Sequence, residues 1–296
     1  MASRDPNYDK VVLLLSKMGD YSPTQKAMTL AGGITCPTDV GKFGYGSMYF
    51  NGSGASIRCS HSDFALGTGD FTIDFWIYPI NGGHGNNYSR ILQTQDYGTS
   101  GGITIACNSS DNPAHITMQG SASGQEDSKT SSMTIANSTW THVEISRASG
   151  TQRTFVNGAL ACSTAYAYNY TKSSLSIGAN SNGGEAFYGN LCELRITKGT
   201  ARHTAEFTAP TSSILVPVLA DTRIGSAALS GNATKSGGGA VDIVIVRDYD
   251  APRGVVASVI PASNGNWSAS VPPGRYDVTY ISDGCAPICH GPYTVT

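Results

Sequence analysis

Along most of the chain apolar residues return at every second position, the spacing of a strand that turns one face to a core. In Phe71-Thr-Ile-Asp-Phe-Trp-Ile-Tyr78 the residues Phe71, Ile73, Phe75 and Ile77 share a face. Over residues 140–147 the same alternation turns Val143 and Ile145 inward. Over 191–197 it places Cys192, Leu194 and Ile196 on one side, with Glu193 and Arg195 on the other. Further strands are predicted at 11–15, 47–51, 55–59, 90–95, 102–107, 114–119, 151–157 and 173–178, with a last short one at 213–216. Gly82-Gly83, Gly101-Gly102, Asn157-Gly158 and Gly183-Gly184 punctuate the pattern. The Asn157-Gly158 pair, directly after Thr154-Phe155-Val156, predicts a tight hairpin because a type I′ turn needs positive φ at both central residues. No long segment carries a helical period. These features predict an all-β protein built on a two-sheet antiparallel jelly-roll sandwich.

A boundary falls near residues 217–222. Phe207-Thr-Ala-Pro-Thr211 closes the first unit, and beyond Gly237-Gly-Gly239 a new pattern starts, with strands expected near 241–246, 254–260, 267–271 and 275–281. Residues 1–217 are therefore read as the jelly roll, and 218–296 as a small Ig-like β-sandwich.

Composition narrows the class of partner. With 40% apolar residues among 296 the chain can build a real core, and 35 glycines suit many short strands joined by tight turns. Only 14% of residues are charged and the net charge is −2, with Lys and Arg thinly scattered, which argues against nucleic acid as a partner. The longest aliphatic run, Val11-Val-Leu-Leu-Leu15, falls far short of the ~20 residues of a membrane-spanning helix, so no membrane insertion is expected. The opening Met1-Ala-Ser-Arg-Asp-Pro6 lacks a basic-then-apolar leader, and a protein made and left in a cytoplasm is expected, unless a particle carries it out. The seven cysteines are dispersed. Cys285-Ala-Pro-Ile-Cys289 beside His290 is read as two reduced thiols in a turn rather than half of a metal site.

Several blocks carry a family likeness. The segment from Asp5 through Val11-Val-Leu-Leu-Leu15, the block Lys42-Phe-Gly-Tyr-Gly-Ser-Met-Tyr-Phe50, and the run Phe64-Ala-Leu-Gly-Thr-Gly-Asp-Phe-Thr-Ile-Asp-Phe-Trp76 come first. Trp140-Thr-His-Val143 and Phe155-Val-Asn-Gly158 follow. The last stretches are Phe187-Tyr-Gly189, Glu193-Leu-Arg-Ile-Thr-Lys-Gly-Thr-Ala-Arg202 and Phe207-Thr-Ala-Pro210. In this order they resemble the laminin G-like (concanavalin A-like lectin/glucanase) jelly-roll domains of bacteriophage particles, over roughly residues 5–215. The Ala201-Arg-His-Thr204 ending is similar to the version in phage tail and virion proteins. The resemblance implies a virion location, other virion subunits as partners, and a structural role as tail appendage or capsid decoration. Homo-oligomers are compatible with it. The segment 267–280, with Pro272-Pro-Gly-Arg-Tyr-Asp-Val278, resembles small Ig-like or carboxypeptidase-regulatory-like modules.

Candidate chemistry is sparse. Relatives with this jelly roll bind sugars or calcium at loop edges. For calcium, Asp20, Asp39, Asp63 and Asp70 are the oxygen donors on offer, and Cys192 stands where the family often has Asp, a soft thiol that makes a poor ligand. No cofactor is otherwise implied. A host surface glycan would find Tyr88, Tyr166, Tyr168 and Tyr170 among Asn-rich loops; the last three also read as a packing stripe on one strand face. None of the five glutamates, Glu126, Glu144, Glu185, Glu193 and Glu206, has a partner carboxylate two or four residues away, which argues against a glycan hydrolase. The six histidines are isolated, His142 among them, and no Gly-x-Ser-x-Gly elbow is present. A non-enzymatic protein is expected, with a tail adhesin as the alternative reading.

Overall fold

The computed structural model describes residues 5–16, 19–37, 40–43, 46–81, 88–94, 100–108, 114–121, 126–165, 168–214, 227–235, 239–248, 255–271, 274–282 and 288–295. The chain divides into two compact units, one of them Asp9–Ser212 and the other taking in Ser213–Thr296. No described helix is long and apolar enough to cross a membrane.

The larger unit opens with β1 (Val11–Ser16), β2 (Gly19–Asp20), β3 (Thr29–Ala31), β4 (Met48–Asn51) and β5 (Ser56–Ser60). It continues through β6 (Phe71–Pro79), β7 (Ser89–Gln93), β8 (Ile103–Asn108), β9 (Ala114–Ser121) and β10 (Glu126–Ile135). It closes with β11 (Thr141–Ala148), β12 (Thr151–Val156), β13 (Ala159–Ala165), β14 (Ser174–Ile177) and β15 (Tyr188–Lys198). One sheet runs β13-β12-β11-β6-β15-β1-β2, with β4 also on β15; the other runs β10-β9-β8-β7-β14-β5-β3. Pairings within both sheets are antiparallel, as a sandwich of this kind requires.

Between the sheets lies one apolar core. Phe71, Ile73, Phe75 and Ile77 of β6, with Val143 and Ile145 of β11, face Ile105, Ile116 and Met118 from the opposite sheet. Each such buried side chain contributes about 1.5–3 kcal/mol relative to exposure. The Asn157-Gly158 hairpin has φ of 50° and 84°, as the type I′ expectation requires.

Two sequence expectations are corrected. The alternation over 191–197 breaks at a bulge between Cys192 and Arg195, where Glu193 takes φ of 52°. Leu191 and Leu194 both belong to the core, while Cys192 pairs opposite Trp76 on the far side of the sheet, so Cys192 does not share a face with Leu194 and Ile196. The strand expected at 213–216 is absent from Ser213 and Ile214; residues 215–216 lie outside the described set.

The smaller unit holds β16 (Ala227–Asn232), β17 (Ile243–Asp248), β18 (Val255–Val259), β19 (Asn266–Val271), β20 (Gly274–Ile281) and β21 (Ile288–Val295). They form a two-stranded sheet, β16-β19, and a four-stranded sheet, β18-β17-β20-β21. β19 alternates without a break, Trp267, Ala269 and Val271 inward against Val244, Val246 and Val278.

Candidate functional site

The outer face of the β6 sheet is spent on structure. Register sets Asp74 of β6 opposite both Glu144 of β11 and Arg195 of β15, and all three are buried. Arg195 donates from Nε and Nη2 to the two oxygens of Asp74, at 2.9 and 2.8 Å. His142 Nε2 stands 3.7 Å from Asp74 Oδ2. Burial alone would push the Asp74 carboxyl up; the Arg195 charge, with His142, overrides it and holds the group well below the usual carboxylate range. For Glu144 burial wins and the carboxyl is pushed up, although His203 Nδ1 donates to its Oε2 at 2.8 Å.

The segment after β15 lies over this charged layer. Ser146 Oγ donates to the His203 carbonyl at 2.6 Å, and Thr72 Oγ1 donates to the Thr200 carbonyl and accepts from Arg202 N–H. Phe207 stacks on His203 at 3.6 Å between centroids and meets Phe155 edge-on. The two carboxylates that neighbouring strands bring together are thus sealed beneath a strap.

The outer face of the β8 sheet is different. Ser176, Gln93, Thr104 and Gln119 are successive cross-strand neighbours on β14, β7, β8 and β9, a polar row on the side away from the core. Arg90, only 1% exposed, lies along the same face. Its Nη2 reaches Glu185 Oε2 at 2.8 Å and its Nη1 points to Gln119 Oε1 at 3.4 Å. Arg90 also bridges to Ala186 in parallel, and its N–H donates to the Glu185 carbonyl at 2.7 Å. That pairing sets Tyr88, two residues earlier, at the edge occupied by the turn Asn180–Glu185.

The turn is rigidly built. Asn180 Oδ1 accepts from Asn182 N–H and Gly184 N–H at 3.0 and 2.7 Å, and its Nδ2 points to Glu185 Oε2 at 3.4 Å. Glu185 is held at φ of 47°, a conformation L-residues seldom adopt, with its side chain about a third exposed. Tyr88 is 40% exposed. An exposed aromatic ring thus stands two residues before Arg90, and the backbone that pairs with Arg90 carries a carboxylate held by the Arg90 guanidinium and the Asn180 amide.

The four tyrosines expected to form one site are not brought together. Tyr88 stands at the start of β7. Residues 170–173 run past the other end of that sheet, where Lys172 N–H donates to the Gly101 carbonyl beside the start of β8. Tyr170 is withdrawn from any ligand site: it is fully buried, edge-on to Phe71 and under the Arg147 guanidinium. Tyr168 packs partly against the core and lies outside any strand, as does Tyr170 apart from one bridge to Gly67, so the strand-face stripe is not formed there. Tyr166 lies outside the described residues.

A family model described as the concanavalin A-like lectin/glucanases superfamily matches residues 51–206, more than half of the chain. The chain belongs to this superfamily. No curated protein matches it in sequence. Among solved structures it is similar to domain 4 of AbnA, an extracellular arabinanase of Geobacillus stearothermophilus in complex with arabinotriose, at 18% identity and TM-score 0.50, covering 65% of this chain and 94% of that one. It is also similar to the botulinum neurotoxin serotype D binding domain, at 15% identity and TM-score 0.52, covering 97% and 71%. A third is botulinum neurotoxin type C, which depends upon interaction with two ganglioside molecules to enter cells, at 11% identity and TM-score 0.50, covering 94% and 67%. At these identities the likeness establishes the lectin-like fold.

Within this superfamily member the aspartates proposed as calcium donors are engaged elsewhere. Asp20 Oδ1 accepts from the N–H of Leu14 and Ser22, and its Oδ2 from Ser22 Oγ and Lys26 N–H. Lys26 Nζ lies 3.0 Å from Asp63 Oδ2, and Asp70 Oδ1 accepts from Ser149 N–H at 2.9 Å. Asp39 lies outside the described residues. Among the described residues no three His, Cys, Asp or Glu side chains gather as a metal site. Cys289 is an exposed thiol, while Cys285 is not described.

Sequence reasoning missed Arg90, Asn180 and Glu185. Gly183-Gly184 marked the turn, but the parallel bridge of Arg90 to Ala186, which brings Glu185 with it, spans 96 positions of the chain and leaves no local signal.

Proposed function

We propose that this chain is a non-enzymatic bacteriophage virion protein, a tail appendage or capsid decoration, whose lectin-like domain holds a surface glycan at the Tyr88–Glu185 rim. The observation that carries the glycan reading is the exposed Tyr88 ring two residues before Arg90, on the strand edge whose backbone pairs with the segment holding Glu185 to Arg90 and Asn180. Lectin sites combine these elements: an aromatic face for the C–H surface of a sugar and a few rigid polar groups for its hydroxyls. The arabinotriose and ganglioside ligands of structurally similar proteins support the same reading. The ordered blocks from Val11 to Pro210, with the Ala201-Arg-His-Thr204 ending, support the phage assignment. Under it the protein is made in the host cytoplasm and resides in the virion, in contact with other virion subunits and compatible with homo-oligomers. The smaller unit is read as an Ig-like spacer or docking module. The non-enzymatic reading is supported by Asp74 and Glu144, a carboxylate pair buried beneath the strap with Asp74 locked to Arg195.

Antibody labelling of purified virions by electron microscopy tests the location. Label at the tail tip favours the adhesin form, label over the head the decoration form, and a protein found only free in lysate sinks both. The glycan reading predicts that Tyr88→Ala lowers adsorption to host cells with no change in melting temperature; unchanged adsorption removes the site.

A further inference from the structure

The charged layer on the outer face of the β6 sheet ends at Trp76, which has Cys192 and His142 opposite it on the neighbouring strands. The next outward row is aromatic. We infer that this row is a second glycan-binding face, which takes several consecutive sugars of a single neutral polysaccharide chain. It belongs to the other sheet from Tyr88 and does not depend on the role given to that residue.

Register assembles the row. Met48, Phe50, Leu191 and Ile77 point into the core, so Tyr49, Asn190 and Tyr78 between and beside them point out. Tyr49 pairs with Asn190 and Asn190 with Tyr78, which sets the three abreast on β4, β15 and β6. Trp140 directly precedes Thr141, the partner of Ile77, and its ring lies 5.4 Å from that of Tyr78. At the other end Tyr188, two residues before Asn190, brings its ring to 6.2 Å from Tyr49. Four partly exposed rings thus cross four neighbouring strands, a width of about 14 Å at ~4.8 Å per strand. One sugar cannot cover that width, whereas a short run of them can.

The chemistry of the row is neutral. None of its five side chains is charged, and Lys42, over on the Trp76 side, is spent on that indole, with Nζ 4.2 Å from the ring centroid. Aromatic rings match the C–H surface of a sugar, and a row without cations gives an anionic chain no partner. Asn190, between the two ring pairs, is 2% exposed and donates from Nδ2 to Ser47 Oγ at 2.9 Å, so the ground between the rings is fixed before a ligand arrives.

Tilt and extent narrow the occupant. The ring planes meet at 50° in the Tyr78–Trp140 pair and at 67° in the Tyr49–Tyr188 pair, so they make no flat surface. A single chain turns about its glycosidic bonds to meet rings at different tilts; the rigid face of a crystalline polymer cannot. Only the smaller part of each ring is open, so the four together offer on the order of 300 Å². That suits a few sugars and falls well short of the ~800 Å² that each partner gives to a standard protein interface.

The test runs the full chain through native gels that contain soluble neutral β-glucan, mannan or dextran, beside a gel of anionic polysaccharide and a sedimentation assay on microcrystalline cellulose. Trp140→Ala, Tyr49→Ala, Trp140→Phe and Tyr88→Ala run in parallel, each with its melting temperature. The expected result is retardation in a neutral gel, insensitive to salt, weakened about tenfold by Trp140→Ala or Tyr49→Ala and unchanged in Tyr88→Ala. Tryptophan emission should shift when the retarding polymer is added, and Trp140→Phe, which keeps a ring in place, should lose that shift. If the alanine variants unfold, an emission shift that persists in Trp140→Phe overturns the inference. Retardation lost in Tyr88→Ala alone overturns this face and leaves the Tyr88 reading standing. Retardation in no neutral gel, retardation by the anionic polymer alone, or sedimentation with cellulose overturns the inference as well.

Discussion

A guanidinium at full burial needs acceptors for its donors, and Arg147 finds them in carbonyls rather than carboxylates. Its Nε and Nη2 donate to the Gly69 carbonyl, Nη2 also to Gly67, and Nη1 to Tyr168, all between 2.7 and 3.0 Å, while its plane rests against Phe71 and Tyr170. One strand residue thereby ties two loops to the sheet. Asp74 meets the same problem with opposite charge and solves it by pairing with Arg195. Removing one partner of such a pair strands the other, so Asp74→Asn should cost about 3–5 kcal/mol at neutral pH. The pH dependence follows from the directions of the two shifts. Asp74 sits below its unfolded range, so its contribution is present above that range and is lost as pH falls below about 4. Glu144 sits above its unfolded range, so its contribution is present at acid pH and is lost as pH rises through its folded value. Denaturant melts across pH 2–7 should show a steep acid limb in the wild type and a flattened one in Asp74→Asn. An unchanged acid limb in the variant would show that Asp74 is not the controlling group.

At the scale of elements, turns and crossings decide more than strands do. Gly158 closes the β12–β13 hairpin at φ of 84°, and a Cβ there would lie 1.8 Å from the Phe207 carbonyl oxygen. The hairpin glycine is therefore also the seat of the strap: Phe207 N–H donates to the Gly158 carbonyl at 3.0 Å. Gly158→Ala should cost more than about 2 kcal/mol, from the left-handed conformation and the clash together. It should also raise hydrogen exchange at the Phe207 amide. Gly69→Ala is the control, since a Cβ there meets nothing within 4 Å and the φ is not in the left-handed region; equal losses in both variants would contradict the strap as the cause. The sequence made the hairpin legible, because Asn-Gly is a local signal. It also made the inward faces of β6 and β11 legible through simple alternation. It hid the bulge at Glu193, where one extra residue of backbone rotates Cys192 away from Leu194 without any change in composition. It hid the Arg90–Glu185 pair as well, because Glu185 reaches Arg90 from nearly a hundred residues on, and the Tyr166–Tyr170 cluster drew attention to a segment whose last tyrosine is core.

On the scale of the whole molecule, the described residues gather into two apolar cores with no residue in common. One gathers Leu13, Phe75, Ile145, Leu194 and their neighbours; the other gathers Val244, Trp267, Val271, Tyr276 and Val278. Cooperativity in unfolding comes from shared burial, so separate cores should melt as separate units. Calorimetry of the full chain is expected to show two transitions, the larger from the jelly roll. Leu194→Ala should lower the larger transition, at a cost of about 2–5 kcal/mol, and leave the smaller in place. Val278→Ala should do the reverse, since a residue that touches only one core can draw only on that core's stability. A single transition, lowered by both variants alike, would show that the units depend on one another, and loss of the small sandwich would then be expected to weaken any glycan binding by the larger unit. Independent melting has the opposite consequence: Val278→Ala would leave glycan retention untouched while any docking assigned to the small sandwich fails, which separates the two roles in one protein.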